Sequence, residues 1–287
     1  MTDPTGTFED ERLRLTSLGY RMLGSVTEAE DAVQDCWLRW QGVDQVDIRT
    51  PAAWLTTAMT RLCIDRLRAA KTVRETYVGP WLPEPLLATD DPPPDRVELA
   101  EGLTMALLIV METLTPAERA AFILREAFDY DYDDIAGVLD SSVVNARKLV
   151  SRARARVEDG APREVPEPDI AIRLAAAFGQ ASAQGDMTAL EALLHEDVLL
   201  RSDGGGKVAA ALNPIYGRDK VIRFLIGLER KAEGALSLNL ATVNDGPGFV
   251  IRQGESTHAV VSLTTREGRI SNIDIVRNPQ KLGIKDR

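Results

Sequence analysis

Asn145, Lys148, Arg152 and Arg156 recur at intervals of three and four residues, the spacing that lines side chains along one side of a helix. Amide and guanidinium groups in such a row match the edges of nucleic-acid bases, and the ammonium group suits phosphate. Val143, Ala146, Val150, Ala153 and Val157 fall on the other side, so residues 141–157 are predicted to form a helix with one face for packing and one for anions. Arg147 and Arg154 sit on its flanks, placed to hold phosphate rather than to read a base. The window 145–156 carries five Lys/Arg and no acid in a chain of net charge -10, so its basicity runs against the background. Just upstream, Asp131 reads as the N-cap of a short helix ending near Leu139, with Asp134 three residues on and a tight turn at Asp140 and Ser141. Short helix, turn and basic amphipathic helix together make a helix-turn-helix pattern. A basic surface helix near a domain end is the plainer reading of the same residues.

Two further charged groups lie nearer the start. Glu28, Asp31 and Asp35, with Gln34, line one side of a predicted helix whose other side holds Ala29, Val33, Trp37 and Trp40. Thr27 and Glu30 are its expected capping box. The next helix is expected to open with Thr50 as N-cap and Pro51 in the first turn, burying Trp54, Ala58 and Leu62. The segment from Arg61 to Glu75 then carries five Lys/Arg, Arg61, Arg66, Arg68 and Lys71 among them, against two acids. Trp37 and Trp54 occupy packing positions, which favours core over base stacking.

Outside the two basic windows stand 24 basic and 42 acidic residues, so two cationic patches sit on an acidic body. Such a body repels bulk DNA at long range and engages it when a partner presents it. The 287 residues suffice for two or three compact domains. No apolar run reaches membrane-spanning length, the acidic, polar first residues do not read as a signal peptide, and the expected location is the cytoplasm. Two cysteines and two histidines argue against a disulfide framework or a structural zinc, and neither a metal nor a cofactor is expected.

Proline marks the joints. Six of the 15 prolines lie between Pro80 and Pro94, and three more between Ala161 and Pro168, densities that helices do not tolerate. The predicted organisation is therefore a helical domain over 1–78, a linker over 79–97, a helix-turn-helix domain over 98–158, with a capping box at Thr115 and Glu118 and a helix running through Phe122 and Phe128, then a second linker over 159–168. Residues 169–287 differ. An amphipathic helix with Ile170, Leu174, Ala177, Phe178 and Ala181 inward, and helices near 187–194 and 218–229, precede four alternating strand patterns, an α+β arrangement with a curved sheet wrapped on helices.

The segment EAEDAVQDCWLRW with PAAWLTTAMTRLCIDRLR resembles the second conserved region of bacterial extracytoplasmic-function sigma factors, and the helix-turn-helix resembles their fourth. The third domain is similar to the SnoaL-like, NTF2-like fold that the SigJ-like group of that family carries as a fused extension. Its signatures are GPWLPEP (79–85) with Trp81 and Leu82, DGGGK (Asp203, Gly204, Gly205, Gly206, Lys207), and NPQKL (Asn278, Pro279, Gln280, Lys281, Leu282). Two positions depart from the pattern: Gln280 stands where Asp is common, and Arg61 where many relatives have Asn, so base preference there does not transfer.

The resemblance implies two all-α sigma domains, a region 2 bundle and a region 4 helix-turn-helix, followed by an α+β NTF2-like cone. It also implies an alternative sigma factor that binds core RNA polymerase and promoter DNA. Asp31, Gln34 and Asp35 would meet the β′ coiled coil, with the β flap as a second polymerase contact. Arg61, Arg66, Arg68 and Lys71, with the loop 43–49, would engage the melted minus-ten element. Asn145, Lys148 and Arg152 would read the minus-thirty-five element. Trp81, Leu82 and the DGGGK and NPQKL residues would join linker and cone into a built-in regulator, with no membrane contact and no separate anti-sigma factor evident. Relatives of the cone fold include cyclases and isomerases, so His195, Asp203, Tyr216, His258 and Asp274 are the positions where a hydrolase or isomerase would show itself. The expectation is that the chain is not an enzyme; a SnoaL-like enzyme fused to a DNA-binding module, and a ligand-sensing repressor, are the alternatives.

Overall fold

The computed structural model describes residues 4–44, 48–87, 99, 102–160, 168–231 and 236–283, without the side chains of 4, 71–73, 75, 168 and 231. The chain forms two compact units, one of residues 1–75 and 107–161, the other of 76–106 and 162–287. Among the described residues no helix is long and apolar enough to cross a membrane.

The first unit is all helix. Helices α1 (Pro4–Leu23), α2 (Val26–Gln41) and α3 (Pro51–Glu75) pack together around Phe8, Leu15, Leu18, Val33, Trp40, Leu55 and Met59. The cap of α2 is Ser25, whose hydroxyl accepts from Glu28 N, and not Thr27. The pattern S-x-x-E at 25–28 puts a hydroxyl and an acid at the cap and third positions as well as 27–30 does, and starting two residues earlier lets Val26 and Ala29 enter the core. Trp54 is half-buried against the Trp40 ring, 5.4 Å away, and Trp37 is half-buried against Phe8.

Helices α4 (Met105–Met111), α5 (Pro116–Glu126), α6 (Tyr132–Val138) and α7 (Val143–Gly160) follow. The cap of α5 is the expected box, with Thr115 and Glu118 bonded reciprocally and Pro116 in the first turn. That helix does not run through Phe128. It stops at Glu126, and Asp129, at φ 54°, turns the chain so that Tyr130 N reaches Leu124 O. Asp131 caps α6, and Asp140 at φ 49° makes the turn into α7, where Ser142 Oγ accepts from Asn145 N.

The second unit is α+β, as the sequence suggests. Helices α8 (Pro168–Gln184), α9 (Met187–Leu193) and α10 (Arg218–Lys231) accompany a six-stranded sheet of order β2-β1-β6-β5-β4-β3. Its strands are β1 (Leu194–Asp203), β2 (Ile215–Tyr216), β3 (Leu236–Val243), β4 (Gly246–Gln253), β5 (Ser256–Arg266) and β6 (Arg269–Val276). The last four strands form an antiparallel meander, and β1 closes on β6 in parallel. Phe178, Leu190, Leu200, Val221, Phe249, Leu263 and Ile273 are among the aliphatic and aromatic side chains of the core. In α8 the buried stripe is Ala171, Ala175, Phe178 and Ala181, while Ile170 and Ala177 are exposed. The smaller residues face inward because the helix lies close to the sheet: a Cβ on Gly179 would stand 2.8 Å from the Phe249 ring.

Candidate nucleic-acid interface

The basic helix α7 exposes its polar row where the spacing predicts it. Ala146, Leu149, Val150 and Ala153 are buried, whereas Asn145, Arg147, Lys148, Arg152, Arg154 and Arg156 are exposed. Several of these cations are held at their base. Glu118, at the start of α5, is buried, yet its carboxylate meets Arg156 Nη1 at 2.7 Å and Arg152 Nε at 3.3 Å while accepting from Thr115 N and Oγ1. Burial raises its pKa, but the two bonds from Thr115 and the charges of Arg156 and Arg152 outweigh this and leave the carboxyl below its ordinary value. Arg154 pairs with Glu126 at 2.6 Å. The Arg147 guanidinium lies 5.3 Å from the centre of the Tyr132 ring, which Arg125 also approaches, at 5.1 Å.

On α2, Asp31 and Gln34 are exposed and Asp35 is half-exposed, so the acidic ridge is an accessible face. Leu38, 59% exposed, continues the same row one turn on, and Val144, 64% exposed, stands beside Asn145. Reading by charge overlooked both; an apolar residue on a polar row was the available signal.

The cations of α3 divide. Arg68 is exposed and pairs with Asp65, whereas Arg66 pairs with Asp35 at 2.6 Å, joining one residue expected at DNA to one expected at polymerase. Arg61 donates to the carbonyls of Val138, at 3.0 Å, and Gly137, at 3.2 Å, which lie at the end of α6. The side chain of Lys71, and residues 45–47 of the loop 43–49, lie outside the described residues. Cys36 and Cys63 are buried free thiols, their pKa values pushed up by burial to about 11 and about 12, so neither is a nucleophile at neutral pH.

In the second unit the three signature segments meet. Asp203 at the end of β1 is fully buried and accepts from Tyr77 OH at 2.6 Å, Leu82 N at 2.9 Å, Gly205 N at 3.0 Å and Lys281 Nζ at 2.7 Å. Lys281 also donates to Leu82 O and lies 4.0 Å from the centre of the Trp81 ring. Asn278 N donates to Asp203 O, and its side-chain amide to Tyr77 OH. Further along, Leu86 exchanges hydrogen bonds with Asn244, and Leu87 bridges Val243. Leu82 is buried and Trp81 partly so. Gly204 is buried, Lys207 is exposed, and Pro279 and Leu282 are partly covered in the short 3-10 turn 279–282.

Four of the five catalytic candidates lie beside a cation, and the fifth is exposed. Asp203 belongs to this cluster, Asp274 is bidentate to Arg201, His195 contacts Arg266, and His258 contacts Arg277; Tyr216 is exposed.

The models of Sigma-70 region 2 and of Sigma-70, region 4, match residues 7–73 and 104–157. The ECF RNA polymerase sigma factor SigJ of Mycobacterium tuberculosis (strain ATCC 25618 / H37Rv) is 39% identical across 96% of this chain and 91% of its own. The chain belongs to the extracytoplasmic-function sigma factor family. A probable ECF RNA polymerase sigma factor, SigI, of M. tuberculosis (strain CDC 1551 / Oshkosh) is 29% identical over 94% of the chain. The crystal structure of M. tuberculosis SigJ matches the fold with a TM-score of 0.78, at 34% identity, covering 98% of this chain and 99% of that one. The chain is an alternative sigma factor, whose class binds core RNA polymerase and promoter DNA.

Proposed function

We propose that this sigma factor divides its work among three surfaces. The α2 face of Asp31, Gln34 and Asp35 docks on the β′ coiled coil, region 4 reaches the β flap, and Arg61, Arg66, Arg68 and Lys71 take the unpaired minus-ten strand. Asn145, Lys148 and Arg152 read the minus-thirty-five element in the major groove, where Asn suits adenine and Arg guanine, while Arg147 and Arg154 hold phosphates. The work is done where polymerase is, in the cytoplasm. The observation that carries this reading is the opposite charge of two exposed helical faces, acidic on α2 and basic on α7, in one family member. A complementary acidic face gives orientation and fast association with a basic coiled coil.

The second unit acts as a regulator rather than a catalyst in this reading. Support comes from its ionisable groups: Asp203, Asp274 and His258 are each held by a neighbouring cation, and the core beside them is apolar. Residues Trp81 and Leu82 with the DGGGK and NPQKL segments are the regulatory clasp.

The docking assignment is tested with Asp31→Lys combined with Gln34→Lys. Both side chains are exposed, so the melting temperature should stay unchanged while holoenzyme formation with core polymerase is lost. Undiminished binding of the double variant to core would dismiss the α2 face as the docking surface.

A further inference from the structure

Glu118 is a buried carboxylate that does more than close a helix. A capping-box acid needs only the N–H of its cap residue, and surface capping acids are ordinarily solvated. Here the carboxylate is only 4% exposed, and it faces two guanidinium groups one turn apart on α7. The two arginines remain 59% and 48% exposed, so only the inner side of each guanidinium is engaged. Arg156 donates a hydrogen bond to the carboxylate from Nη1, whereas Arg152 approaches it as an ion pair through Nε, at 3.3 Å. That leaves the two terminal amino groups of Arg152, the pair that a guanine edge accepts through O6 and N7.

An unrestrained arginine samples many rotamers, and fixing it on DNA costs side-chain entropy at every association. A buried, ionised anchor fixed by Thr115 meets that cost during folding. The anchor is itself rigid, because Glu118 sits in the first turn of α5, whose Ala120, Ala121, Ile123 and Leu124 are buried in the helical core.

We propose that Glu118 is the positioning residue for promoter recognition: it holds Arg152 in the orientation that reads a base, and Arg156 beside it as a fixed phosphate or base contact. The proposal rests on the assignment of Arg152 to the minus-thirty-five element. It differs from that assignment in placing specificity partly in a residue that never touches DNA. Neutralising Glu118 removes an anion from beneath the basic face, so overall DNA affinity should hold or rise while discrimination falls. A residue needed only for the fold would lower both together.

Two measurements on the full-length chain and its holoenzyme decide this. In the unaltered protein, the Nε–H of Arg152 should show a high order parameter by NMR relaxation; mobility equal to that of the exposed Arg173 overturns the proposal without any variant. Glu118→Gln keeps an amide oxygen to accept from Thr115 and so retains the cap. In holoenzyme it should reduce discrimination among bases at the position read by Arg152 by about fivefold or more, with affinity for unrelated duplex undiminished. In an Arg152→Ala background the same change should have no further effect on discrimination. Full discrimination by Glu118→Gln, with Arg152→Ala deficient, overturns the positioning role alone. Full discrimination by Arg152→Ala removes the base-reading assignment, and the positioning role with it.

Discussion

Among single residues, His258 shows how the local field controls a titration. Burial lowers its pKa first, and the Arg277 guanidinium, 2.8 Å from Nε2, lowers it further, so the folded chain favours the neutral ring. The unfolded chain takes up its proton near pH 6.5, the folded one below that. The unfolded state therefore binds more protons as pH falls, and the second unit should lose stability on acidification below about 6.5. Above that pH the contribution is fully present. Thermal melts from pH 7.5 to 5.5 should show the loss, and His258→Gln, which cannot be charged, should flatten the profile. An equal acid sensitivity in both proteins would place the titrating group elsewhere.

Elements carry the next level of constraint. The glycines after β1 are backbone requirements: Gly205 lies at φ 62°, and a Cβ there would stand 2.4 Å from the Asn278 amide nitrogen. Gly205→Ala should cost more than about 1 kcal/mol, measured by denaturant unfolding, through strain plus displacement of Asn278. Gly254, also at positive φ but with open space around it, is the control, for which Ala brings only the conformational term. Comparable losses at the two sites would mean that the Asn278 contact contributes little.

Elements also show what the chain makes legible. The caps at Thr115 and Asp131, the two faces of α7 and the meander of β3 to β6 follow from local spacing and residue type, which act over one or two turns. What was misread depends on longer range. Ser25 displaced Thr27 because the core wanted Val26; Ile170 lost its place to Ala171 because the α8 to sheet distance admits only small residues. The same holds for the candidate site. Charge and periodicity identify Asn145, Lys148 and Arg152 on one face, but Glu118, which meets Arg152 and Arg156, comes from another helix and reads in sequence as a cap. Nor does any local pattern tell that Arg66 pairs with Asp35, or that Arg61 is drawn to the carbonyls ending α6.

For the whole molecule, the regulation of promoter use proposed above for the second unit would act through the linker. The linker segment that leaves region 2 is extended by its prolines, so little entropy is lost when it docks. Asp203 is the centre of that docking. The four hydrogen bonds of its carboxylate come from Tyr77 just before the linker, Leu82 within it, the glycine turn and the final segment, and Lys281, itself largely buried, has its charge matched there. Removing one partner of a buried ion pair leaves the other charge uncompensated, so Asp203→Asn should cost about 3 kcal/mol. More tellingly, it should detach the linker. The amides of Leu82 and Leu86, bonded to Asp203 and Asn244, should exchange with solvent as slowly as the sheet in the native chain. In Asp203→Asn, or after deletion from Asn278 onward, Leu82 should exchange as a loop does, while Leu190 and Ile273 in the core stay protected. If the clasp sets the spacing of the two DNA-binding regions, the same variants should change transcription from promoters with altered spacer length more than from the native one. A photoreactive group at Trp81 should label residues 203–207 and 278–282. Absence of labelling in both free chain and holoenzyme, together with rapid exchange at Leu82, would mean that the linker is not held in solution and would overturn the proposed clasp.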